Sequence, residues 1–147
     1  MKKDISFSIG ADDMSESVIK AKICLDKLNY KYKSYGLINE DKLNWVDIAK
    51  NVAKDVQNGV SDFGIIFCHT GTGVSIVANK FKGIRAALCN NKEVAIAARK
   101  WNDANVLTMG IMSVKEEDVE GIITGWVNTE VDNSELKNIE SISEIEL

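Results

Sequence analysis

The stretch that decides the fold is Ile65-Ile66-Phe67-Cys68-His69-Thr70-Gly71-Thr72-Gly73-Val74-Ser75-Ile76. Its first half is an apolar run, which suits a strand buried on both faces of a parallel sheet. Its second half turns amphipathic, and a helix is expected over 74–79. Between the two, Gly71 and Gly73 are expected to let the backbone bend sharply and come close to a ligand. A helix opening there aims its unpaired N–H groups at the turn, which favours an anion. Cys68 and Thr70 sit at that point and both can do proton chemistry, so this is the expected active centre.

Outward from this stretch, strands and helices alternate. Ile5, Phe7 and Ile9 alternate with serines, a strand pattern over 5–10. Ser15 offers an N-cap, and Val18, Ala21, Leu25 and Leu28 then recur at helical spacing. Further strands are expected over 31–35, 63–67, 84–88 and 106–109, and helices over 45–58, 94–101 and 116–127. Five strand–helix units predict an α/β fold: an open five-stranded parallel sheet with helices on both faces, a Rossmann-like three-layer sandwich. Ligands of such sheets bind outside the carboxyl ends of the strands. That rule gathers Asp12 and Asp13, Cys68 to Ser75, and Asn90 and Asn91 into one crevice.

Size and composition narrow the classes. A chain of 147 residues reads as one domain over 1–147, and an apolar stripe of Leu136, Ile139, Ile142 and Ile145 marks 133–147 as a tail suited to docking on a partner subunit. A net charge of −4 without a basic run argues against nucleic acid and anionic membrane as partners. The apolar runs are far shorter than a membrane span, and the Met-Lys-Lys-Asp start leads into a strand rather than a signal peptide. Cys24, Cys68 and Cys89 are odd in number and make neither a disulfide framework nor a zinc signature, so a reducing cytoplasm is expected.

Each candidate has a plain structural reading beside the functional one. Gly71-Thr72-Gly73 could be only a tight strand-to-helix connection. Ile76 stands at the third glycine position of a dinucleotide fingerprint, and no Gly-Lys-Ser/Thr follows to make a phosphate-binding loop of the nucleotide type. Cys68 could be a small buried hydrophobe, although a thiol beside a helix N-terminus can act as a base. Cys24 and Cys89 lack that setting and read as core. His69 is the one histidine and adjoins Cys68. One of Asp12 and Asp13 could cap the first helix. That pair is also similar to the acidic pocket of a phosphoacceptor domain, but Cys68 stands where the acceptor aspartate would be.

Taken together, Gly10-Ala11-Asp12, the run Gly64 to Lys80, Gly83-Ile84-Arg85-Ala86-Ala87-Leu88-Cys89 and Asn102-Asp103-Ala104-Asn105-Val106 resemble the sugar-phosphate isomerase family. That family holds the type B ribose-5-phosphate isomerases and the two-subunit galactose-6-phosphate isomerase. The resemblance implies interconversion of an aldose phosphate and a ketose phosphate through a cis-enediolate, with no metal and no cofactor. It implies Cys68 as the base and Thr70 as the hydroxyl that moves protons between the two oxygens. It further implies the N–H groups of Gly71, Thr72 and Gly73 around the enediolate oxygen and Asn102 at the same end of the sugar; Asp12, Asp13, His69 and Ser75, placed beside them, are expected as further substrate contacts.

The departures are equally specific. Trp101 stands where the family has its ring-opening histidine, Asp13 where a substrate-binding histidine stands, and Trp45-Val46 where Tyr-Pro is usual. Met112, Ser134 and Asn138 occupy the positions of phosphate-binding arginines, and His69 replaces a glycine. Three readings stay open. The chain is the cysteine-bearing subunit of a heteromer, or a homodimer or homotetramer acting on a sugar or sugar phosphate with His69 or Asp13 in the lost roles, or a catalytically silent sugar-binding relative.

Overall fold

The computed structural model describes residues 4–147, so the Met1-Lys2-Lys3 start lies outside the described residues. Five strands form one sheet: β1 (Ser6–Ala11), β2 (Lys31–Gly36), β3 (Phe63–Cys68), β4 (Ala86–Leu88) and β5 (Val106–Gly110). Every pairing is parallel, and the order is β2-β1-β3-β5-β4. The helices are α1 (Glu16–Lys27), α2 (Trp45–Gln57), α3 (Thr72–Ala78), α4 (Lys92–Asn102), α5 (Val119–Val127) and α6 (Leu136–Ile142). None of these is long and apolar enough to cross a membrane, among the described residues.

The apolar run of β3 is buried on both faces because its side chains alternate between two cores. Ile65 and Phe67 pack with Ile9, Leu107 and Met109 against Val18 and Leu25 of α1, Ala95 of α4, and Ile122, Ile123 and Trp126 of α5. Ile66 and Cys68 pack on the other face, against Ile48 and Val52 of α2 and Val74 and Ala78 of α3. This is the expected three-layer sandwich.

Local signals set most boundaries. Ser15 caps α1 by accepting the Val18 N–H, so neither Asp12 nor Asp13 is needed for that task. Asn44 caps α2 through the Asp47 N–H at 2.8 Å, and Asn91 caps α4 through the Val94 N–H at 2.9 Å. Several boundaries differ from expectation, three of them with a local cause or consequence. The strand over 84–88 shortens to Ala86–Leu88, because the Arg85 N–H turns to the Asn105 side chain at 2.8 Å. The helix over 116–127 begins with a 3₁₀ turn, Glu116–Asp118. Most consequentially, α3 opens at Thr72 rather than Val74.

Ser8 of β1 faces α2 and not water. Ser8 is fully buried, and its hydroxyl bonds to Asp55 Oδ2 at 2.7 Å and to the Ser61 hydroxyl at 2.6 Å. The Tyr35 hydroxyl donates to the same carboxylate oxygen at 2.7 Å. A buried carboxylate survives between α2 and the sheet because donors surround it. Asp55→Ala removes the shared acceptor and leaves buried hydroxyls unsatisfied. It is expected to lower stability by about 1–3 kcal/mol, read as a lower urea midpoint. An unchanged midpoint would contradict this account of the α2 face.

Candidate active site

The sheet order places a switch between β1 and β3: from β1 the chain steps outward to β2, then crosses back through α2 to β3 on the other side. The crevice of such a sheet lies over the carboxyl ends at this switch. Ala11 of β1 pairs with Phe67 of β3, and Cys68 pairs with Gly110 of β5. Asp12, Asp13, Cys68 and the residues after Gly110 therefore share one rim.

The turn after Cys68 is held from several sides. Ile111 and Met112 donate their N–H groups to the carbonyls of Cys68 and His69, each at 2.9 Å, which locks the end of β3 onto the chain leaving β5. Asn90, just beyond β4, accepts the Gly110 N–H at 2.9 Å and draws the third strand end into the same arrangement. Gly71 adopts φ +78°, a left-handed conformation that favours glycine. A Cβ on Gly71 would meet the Gly110 nitrogen at 2.8 Å, and a Cβ on Gly110 would meet the Thr70 carbonyl oxygen at 2.4 Å. The turn lies directly on the end of β5, with no space for a methyl group on either side.

Gly73 has a different reason. It lies inside the first turn of α3 and has no positive φ. A Cβ there would come within 2.9 Å of the Trp45 ring, so Gly73 makes room for an aromatic wall at the start of α2. Trp45 is 43% exposed and stands beside the turn. Its place beside Gly73 has no signal in the sequence, because the helix that contains Gly73 opens two residues earlier than expected.

The chemical groups divide by setting. Cys68 is nearly buried, and the Gly71 N–H donates to its sulfur at 3.1 Å. The Thr70 and Thr72 hydroxyls are exposed and bonded to each other at 2.7 Å. His69 is exposed, and its imidazole makes no hydrogen bond or ion pair among the described residues. Ser75 faces inward: it donates to the Gly71 carbonyl at 2.7 Å and bonds the buried Thr108 hydroxyl. It braces the turn from behind. The other thiols are chemically quiet, since burial pushes Cys89 up to about 12 and raises Cys24.

Asn102 does not join this group. It ends α4, which leaves the carboxyl end of β4 and runs back toward the amino end of β5. There it lines a cavity of about 540 Å³ with Phe81, Ile84 and the tail residues Ile142, Ile145 and Leu147. Both arginines of the chain are also at this end. Arg85 bonds Asp103 Oδ2 at 3.1 Å and Arg99 bonds Asp103 Oδ1 at 2.8 Å, which leaves the crevice rim without a guanidinium. The rim is instead acidic: beyond Asp12 and Asp13, the Glu116 carboxyl is held above its usual range by a hydrogen bond to Glu16. No group of three or more His, Cys, Asp or Glu side chains among the described residues could hold a metal ion.

Residues 8–145 match the Ribose/Galactose Isomerase family. The ribose-5-P isomerase B of Listeria innocua is 33% identical over 127 residues, 86% of each chain. The D-erythrulose-4-phosphate isomerase of Pectobacterium atrosepticum is 34% identical over 129 residues, 86% of this chain and 84% of that protein. The crystal structure of a ribose 5-phosphate isomerase from Thermotoga maritima superposes with a TM-score of 0.88 at 31% identity, covering 96% of this chain and 99% of that one. With a matching sequence over nearly its whole length and the same fold, the chain belongs to the ribose/galactose isomerase family.

Proposed function

We propose that this protein is an aldose–ketose isomerase of a sugar phosphate, with Cys68 as the base and no cofactor. The observation that carries the reading is the Cys68–Gly71 turn: a thiol, two hydroxyls and a helix start converge on one point of the crevice. Isomerisation needs a base that takes the proton from the carbon beside the carbonyl and returns it to the neighbouring carbon. Cys68 takes that proton, and the Thr70 hydroxyl, supported by Thr72, passes protons between the two oxygens of the enediolate. The Gly71 N–H is turned to the sulfur. The enediolate oxygen is therefore left to the first-turn N–H of Gly73, which has no acceptor within the helix. Asp12, Asp13 and His69 flank the sugar, and Trp45 walls it.

A panel of aldose phosphates with four, five and six carbons tests this. At least one is expected to yield its ketose, and Cys68→Ala should lower that rate by about 10²–10⁴-fold without changing the circular dichroism. An unaltered rate in Cys68→Ala would remove Cys68 as the base. A panel without any turnover would favour a silent sugar-binding relative.

A second reading is favoured by Asn102. At the far end of its own sheet it reaches a sugar at Cys68 only from another subunit, and the 133–147 tail carries exposed Leu136, Ile142, Ile145 and Leu147 for docking. The single domain of 1–147 then acts as a homodimer, a homotetramer or a heteromer with a homologous subunit, in the cytoplasm. If the site is shared, mixing inactive Cys68→Ala with inactive Asn102→Ala protein restores part of the activity, because mixed oligomers hold sites with both native residues. No recovery after verified subunit exchange would place the whole site within one chain.

A further inference from the structure

We infer that a cavity at the amino end of the sheet is a binding site for a small monocarboxylate with an apolar body, held by the Arg99 guanidinium. The cavity measures about 360 Å³, the size of a small-molecule site, and lies at the opposite end of the sheet from Cys68. Ile5 just before β1, Phe63 at the start of β3, and Val127 and Val131, at and beyond the end of α5, give it apolar walls. Arg99 of α4 is the cation in that wall.

Arg99 is only 9% exposed, and a charge so deeply buried needs partners. Its Nη1 donates to Asp103 Oδ1 at 2.8 Å and to the Ala104 carbonyl at 2.7 Å. The Nε–H is buried too, and has no acceptor among the described residues. The rings of Phe63 and Trp126 lie 4.7 and 5.7 Å from Cζ, contacts that support the cation but do not replace an acceptor in its plane. Trp126 Nε1, in the same aromatic cluster, is likewise buried without an acceptor. Two such donors in one cluster at a cavity wall call for an acceptor from outside the chain. The charge count points the same way. Arg85 and Arg99 share the one carboxylate of Asp103, which leaves a positive charge over. Of the two acids on the cavity wall, Asp62 already accepts the Ser6 N–H and hydroxyl, and Glu130 is exposed. A carboxylate supplies both the acceptor and the charge, and a guanidinium takes it in a planar fork. The apolar walls favour a carbon body behind that carboxylate over a bare anion.

Benzoate is the probe, with benzamide as its uncharged counterpart and inorganic phosphate as an anion without an apolar body. Calorimetric titration of the full chain is expected to show one benzoate site with a dissociation constant of about 1 mM or tighter, and binding of the other two at least about 10-fold weaker. In the same titration followed by magnetic resonance, the indole N–H signal of Trp126 is expected to shift with benzoate at the calorimetric midpoint, which places the ligand at this cavity. Arg99→Lys keeps the charge and loses the fork, and should weaken benzoate at least about 10-fold. Val131→Phe fills the cavity and leaves Arg99 in place, and should weaken it as much. Circular dichroism first confirms that each variant is folded. The absence of saturable benzoate binding, equal binding of benzamide or phosphate, or an unmoved Trp126 signal would overturn the site, as would full benzoate affinity in either folded variant.

Discussion

The site depends on one steric constraint, the contact between the turn after β3 and the end of β5. Gly110 has no side chain because the Thr70 carbonyl occupies its place, and Gly71 has none because the backbone of Met109 and Gly110 occupies its own. Hydrogen bonds from Ile111 and Met112 then fix the carbonyls of Cys68 and His69. Parallel pairing of Cys68 with Gly110 sets the register that makes this contact possible. Sheet order, strand register and glycine placement thus converge on the position of one sulfur atom. In the proposed isomerase such rigidity matters, since small displacements of a base cost rate steeply.

Behind that contact the two faces of the sheet have different characters. The face under α1, α4 and α5 is continuous and apolar, from Phe7 to Trp126. The other face mixes apolar and polar contacts: Cys68 packs there with Val74 of α3, Ser75 bonds Thr108, and Ser8 bonds Asp55 of α2. Polar groups on this face are satisfied by one another, which keeps α2 and α3 in place. Because α2 starts with Trp45 and α3 with the reactive turn, holding these two helices also holds the walls of the crevice.

Much of this was legible in the residues. The run Ile65–Phe67 reads as a doubly buried strand, and the alternation around it implies a parallel sheet with its ligand site at the carboxyl ends. The cap at Ser15 was legible as well, whereas the caps at Asn44 and Asn91 emerge only in the structure. What stayed hidden depended on contacts between distant segments. Gly73 looked like part of the bend, yet it answers to Trp45, which lies on a different helix. Ser75 looked like a substrate contact, yet its partner is Thr108 in β5. Asn102 looked like a neighbour of Cys68 through its motif, whereas the direction of α4 carries it to the opposite end of the sheet.

The central claim is that a proton leaves the sugar for Cys68 and returns through the enediolate. The most direct measurement is proton and deuterium magnetic resonance of an aldose phosphate that the protein converts, followed in deuterated water. The account predicts ketose carrying solvent deuterium at C1. Solvent deuterium entering C1 as fast with Cys68→Ala as with the unaltered protein would contradict it.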